Sequence, residues 1–66
     1  MTIVSAYVAR TALQNGSAKV ASHFRHRSTG QLYVILDYGK SAALYTVLNA
    51  VWEKVFKEGG LLKEAA

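Results

Sequence analysis

The stretch Ser41–Lys57, SAALYTVLNAVWEKVFK, decides which fold this chain can adopt. Leu44, Val47, Leu48, Val51 and Val55 recur at i, i+3, i+4, i+7 and i+11, the spacing of one helical face. Ser41 suits an N-cap, because its hydroxyl can accept an early backbone N–H. Glu53 and Lys57 form an i,i+4 pair in the favourable order, and Gly59 and Gly60 can end the segment in a left-handed cap. The spacing therefore predicts one helix over Ala42–Lys57. Tyr45, Trp52 and Phe56 widen its apolar arc beyond what a small sheet covers. Tyr45 and Trp52 are accordingly expected at an interface between subunits, and Phe56 in the core.

Upstream lies KVASHFRHRSTGQLYVILDYGKS, Lys19–Ser41, which reads as a β-hairpin. Ser28-Thr29-Gly30 suits a three-residue turn with Gly30 left-handed. That register sets Arg25 opposite Tyr33 and Phe24 opposite Val34. The two-residue period then puts Val20, Phe24, Leu32, Val34, Leu36 and Tyr38 on the core face. His23, Arg25, Arg27, Tyr33, Ile35 and Asp37 fall on the solvent face. His26 is expected at the hairpin end on the core side.

The N-terminal piece satisfies both periods in part. Ile3, Val4, Tyr7, Val8 and Ala12 match helical spacing, with Asn15-Gly16 as the C-cap. TIVSAYV is also rich in strand formers, and Asn-Gly is a hairpin signal. The 3.6-residue period favours a short helix. The tail from about residue 61 is expected to fray, with Leu61 and Leu62 able to dock back.

The chain has 66 residues, so it is read as one domain over residues 1–66. A domain this small is marginal without a disulfide, a metal or a partner. There is no cysteine, and His23 and His26 are the only strong metal ligands, placed on opposite strand faces. No metal and no cofactor is expected. Association is the remaining staple, and the 52% hydrophobic fraction agrees, so a homodimer is predicted. No apolar run is long enough to span a membrane, and the N-terminus lacks a signal-peptide pattern. The expected location is the cytoplasm.

Enzymatic chemistry has little to stand on. Asp37, Glu53, Glu58 and Glu64 are the only acids, and no two look placed for acid–base work. The glycines match no phosphate-binding fingerprint. The net charge of +4 favours acidic partners. The candidate nucleic-acid site is His23, Arg25, Arg27 and Tyr33: arginine pairs with phosphate or guanine, and tyrosine stacks on a base. Lys19, Lys40 and Arg10 could extend it. The plain alternative is a cation–π contact between Arg25 and Tyr33. Ile35 beside Tyr33 also gives this face the look of a protein interface.

Two layouts are similar to known families. A first helix ending at Gly16 (ALQNG), then a hairpin and a second helix, resembles the small head-completion proteins of lambda-like phages, which implies a structural protein-binding role. Three strands followed by a helix resembles the sheet-type DNA-binding domains of some integrases and plant transcription factors, which implies Arg25 and Arg27 facing the major groove. The sequence thus predicts an α+β domain: an antiparallel β-hairpin, or a three-stranded sheet, packed against a C-terminal helix, with a short N-terminal helix. The predicted function is non-enzymatic nucleic-acid binding; the alternative is protein interaction, as a phage-type structural piece or as an inhibitor or adaptor of a larger partner.

Overall fold

The computed structural model describes residues 1–39 and 43–64. The chain is α+β. Its elements are β1 (Thr2–Ile3), α1 (Ala6–Asn15), β2 (Lys19–Arg25), β3 (Leu32–Asp37), β4 (Leu44–Leu48) and α2 (Ala50–Glu58). The four strands form one sheet in the order β1-β4-β3-β2. β2, β3 and β4 run antiparallel as a meander, and β1 joins the outer edge of β4 in parallel. α1 carries the chain from one edge of the sheet to the other.

Both helices pack on one face. Val20, Leu32, Val34, Leu36 and Leu48 of the sheet join Ala6 and Ala9 of α1 and Phe56 of α2 in a single buried cluster. α1 starts where the Ser5 side chain accepts the Val8 N–H, and it ends at Gly16, whose φ of 82° is the left-handed value that glycine adopts freely. The helix over this piece is thus as read from the 3.6 period, but its buried stripe is different. Ala6, Ala9 and Ala12 face the sheet, small enough to let the helix close on it, while Tyr7 and Val8 stay exposed and Ile3 belongs to β1.

The predicted helix over Ala42–Lys57 is corrected: its first half is strand β4, and only Ala50–Glu58 is helical. Leu44, Thr46 and Leu48 turn toward the helices, and Tyr45 and Val47 turn away. Every residue of LYTVL except Thr46 is apolar, so the segment fits a 3.6 period and a 2.0 period equally. Its β-branched and aromatic centre, Tyr45-Thr46-Val47, decides for the strand. Asn49 then resets the chain, its side chain accepting the Trp52 N–H at 2.9 Å as the N-cap of α2. Ser41 and Ala42, proposed as the helix start, lie outside the described residues. At the other end Gly60 is left-handed, and the bonds Leu61 N–H to Phe56 O and Gly60 N–H to Lys57 O close a Schellman cap. Leu61 and Leu62 are half-buried against the core, and Glu64 forms a parallel bridge with Val20.

The hairpin register is also corrected. Phe24 stands opposite Tyr33 and Arg25 opposite Leu32. Two local features cause the shift. The loop has four residues, Arg27–Gly30, because the His26 Nδ1 accepts the N–H groups of Ser28 (3.2 Å) and Thr29 (3.4 Å) and holds the chain open by one residue more. Ala21 is then an extra residue between Val20 and Ser22, a β-bulge that inverts the in–out alternation of everything after it. Val20 faces the core as read. Beyond the bulge, His23 and Arg25 turn toward the helices and Phe24 turns away.

Candidate interaction surface

The bulge disperses the basic cluster expected on one hairpin face. Arg25, on the surface, reaches to α2, where its guanidinium donates to Glu53 at 2.5 Å and to the Gly30 carbonyl at 2.7 Å. Glu53 is shared with Lys57 at 4.0 Å. His23 lies on the same side, 3.7 Å from Glu64. Arg25 thus ties the hairpin to α2. Arg27 is exposed in the loop, and Tyr33 is on the opposite side of the sheet from His23 and Arg25. The four residues share no surface, and the expected Arg25–Tyr33 contact is absent, because Phe24 occupies that place. Lys40 lies outside the described residues.

Neither helix covers the second face of the sheet. Phe24 and His26, on β2 and its extension, meet Tyr33 of β3, each with ring centroids 5.3 Å apart and planes 27° from parallel. Tyr33 in turn meets Tyr45 of β4 at 6.0 Å and 7°. Parallel rings at these spacings overlap like shingles, a favourable offset arrangement. The ladder therefore crosses the three antiparallel strands. His26 is on this face, not on the core side. Ile35 pairs in register with Tyr45, Val47 with Tyr33, and Ile3 of β1 with Tyr45. Phe24 is 50% exposed and Ile3 55%. Among the described residues charge is confined to the ends of this face: Lys19 stands opposite Asp37 at one end, and Arg27 projects from the loop at the other.

Of the expected interface pair, Tyr45 is part of this ladder. Trp52 is on the other side of the sheet, half-buried on α2 and edge-on to Phe56 at 6.4 Å and 85°. The two residues therefore do not form one seam. Phe56 is fully buried, as read. Ile35 beside Tyr33 was the legible hint of this surface. Phe24, Val47 and Ile3 are not among the expected residues, the first because of the bulge and the second because of the helical reading of LYTVL.

No cluster of three or more metal-ligating side chains occurs among the described residues. The groove between α1, β2 and the C-terminal segment is lined by Leu13, Val20 and Leu61 with Lys19 and Lys63, and carries no acid or histidine. Such a lining lacks the paired groups that proton transfer needs. Among the described residues no helix is long and apolar enough to cross a membrane. Comparison with protein-family models, with curated proteins and with solved structures gave no match.

Proposed function

We propose that this chain is a non-catalytic interaction domain, and that it works by docking a protein on the uncovered face of its sheet. The observation that carries the reading is the continuous surface of Phe24, Tyr33, Ile35, Tyr45 and Val47, extended by Ile3, with charge only at its ends. Protein interfaces enrich Tyr and Phe at their centres and deplete Lys, Asp and Glu there, which is the composition of this face. Shingled rings also suit a flat apolar partner better than a nucleobase. Tyr33 is overlapped from both sides, so a base finds few free ring faces on which to stack.

Nucleic-acid binding is the second reading. It is favoured by the net charge of +4 and by Arg27 and Lys19, which make no ion pair among the described residues. A single substitution separates the two. Ile35→Lys puts a cation in the middle of the face. Apolar docking is then lost, whereas binding to a polyanion holds or strengthens, with a steeper dependence on salt.

The direct test is photo-crosslinking in cells that express the chain, with p-benzoylphenylalanine in place of Phe24 and, as control, of Val51 on the outer side of α2. Protein adducts from position 24 and not from position 51 support the docking reading. Nucleic-acid adducts from position 24 support the second reading. No adduct specific to position 24 refutes both.

A further inference from the structure

We infer that the open sheet face docks a second copy of this chain about a two-fold axis, giving a face-to-face sheet sandwich; this rests on the reading of that face as a protein-docking surface. Three observations select a second copy as the occupant.

The first is charge. Lys19 and Asp37 oppose each other at the end of the face far from the loop, Arg27 projects from the loop end, and the side chains between them are uncharged. A two-fold axis lying between the two sheets, parallel to their planes and perpendicular to the strands, runs the strands of the two copies in opposite directions. It brings Arg27 of each copy over the end where Asp37 and, opposite it, Lys19 of the other stand. Each contact then occurs twice, as an isologous interface requires. The carboxylate of each face thus meets a cation of the other, and the apolar centres of the two faces meet between these ends.

The second is the shortage of other staples. The chain has no cysteine and no metal cluster among the described residues, and two of the eight residues of its buried cluster are alanine. So small a core leaves a 66-residue fold dependent on association. A sandwich supplies a second apolar layer on the side of the sheet that lacks one.

The third is size. The strands contain 2, 7, 6 and 5 residues, 20 in all. At a rise of about 3.3 Å and a spacing of about 4.8 Å, each residue covers roughly 16 Å² and the sheet roughly 320 Å² in plan. Side-chain relief and the loop add to this. The total buried by two faces then falls in the class below about 1,200 Å², where association is weak to moderate. Interfaces of that class associate weakly, so the dimer is sought up to high concentration.

The experiment is sedimentation velocity from about 5 µM to about 1 mM, a range that extends to weak association. The wild type is expected to move from its 7.2 kDa mass toward twice that value as concentration rises. Ile35→Lys, shown folded by circular dichroism, should weaken the dimer on the order of tenfold or more. Val51→Lys, on the outer side of α2, should leave it unchanged. An independent measurement uses the cysteine-free background. Ile35→Cys at the centre of the face should oxidise to a disulfide-linked dimer far faster than Val51→Cys.

A wild type that stays monomeric throughout overturns the inference, and so does a folded Ile35→Lys chain that dimerises like the wild type. A monomeric wild type whose position-24 crosslinks go to a different protein removes the second copy and leaves the docking reading standing. A monomer with no such crosslink removes both.

Discussion

Thr46 gives the sharpest test of the packing argument. Its side chain is fully buried between the sheet and the helices, opposite Val34, and its Oγ1 has no hydrogen-bond partner. Burying a hydroxyl unpaired costs about 1–3 kcal/mol on the protein mutational scale. Thr46→Val exchanges that hydroxyl for a methyl of similar size, keeps the β-branch the strand favours, and adds apolar burial of up to about 0.8 kcal/mol. Residual structure in the unfolded chain and small packing adjustments take back part of the sum. The net expectation is a gain of about 1–2 kcal/mol. At roughly 4–8 °C per kcal/mol for a domain of this size, the melting temperature should rise by about 5–15 °C. The assay is a thermal melt followed by circular dichroism, with urea unfolding alongside, at one fixed protein concentration so that association does not enter. Thr46→Ser is the control: it keeps the unpaired hydroxyl, removes the methyl, and should lower stability by about 1 kcal/mol. A Thr46→Val chain that melts lower than the wild type would refute the reasoning. It would mean that the hydroxyl has a partner in solution and that the strand is held by it.

Two local substitutions test the corrected secondary structure. Asn49→Ala removes the N-cap of α2 and should cost about 1 kcal/mol, read by urea unfolding; an unchanged midpoint would mean the helix continues through Asn49 as the periodicity suggested. His26→Ala removes the acceptor for the Ser28 and Thr29 N–H groups together with the stack on Tyr33, and should cost about 1 kcal/mol, whereas His26→Asn restores an acceptor two and three residues before those donors and should recover part of it. Equal losses for the two variants would show that the stack alone matters.

Much of the fold was legible because its signals are local. Asn15-Gly16 ends α1, Gly59-Gly60 ends α2, and the alternation in LYVILD gives β3 with the right inner face. What was not legible depends on partners distant in sequence. LYTVL is apolar on both sides, so its period alone cannot distinguish a strand with two apolar faces from a helix; its β-branched and aromatic centre and its pairing with β3 settle it. The bulge at Ala21 leaves no mark in composition, since alanine fits any position. Yet that one residue moves Phe24 onto the open face and takes Arg25 off it. The four candidate residues are separated for the same reason: a single basic ribbon follows from an unbroken two-residue alternation, and the chain breaks that alternation once.

The shortness of β1 bears on how the chain folds. The β2–β3 and β3–β4 pairs join neighbours in sequence and can zip from their turns. β1 contributes only Thr2 and Ile3, and it pairs with Leu44 and Tyr45 some 40 residues later, with one further bond from the Val4 N–H to the Tyr45 carbonyl. Closing so long a loop for so few bonds is entropically slow, so the N-terminus is the last part to lock and the first to open. While it is open, the outer edge of β4 is bare, and this edge borders the apolar face. An unpaired edge beside an apolar surface is where chains join into aggregates. The first residues therefore act as a kinetic guard: they add little to the depth of the native well, and they decide how long its most adhesive edge stays uncovered.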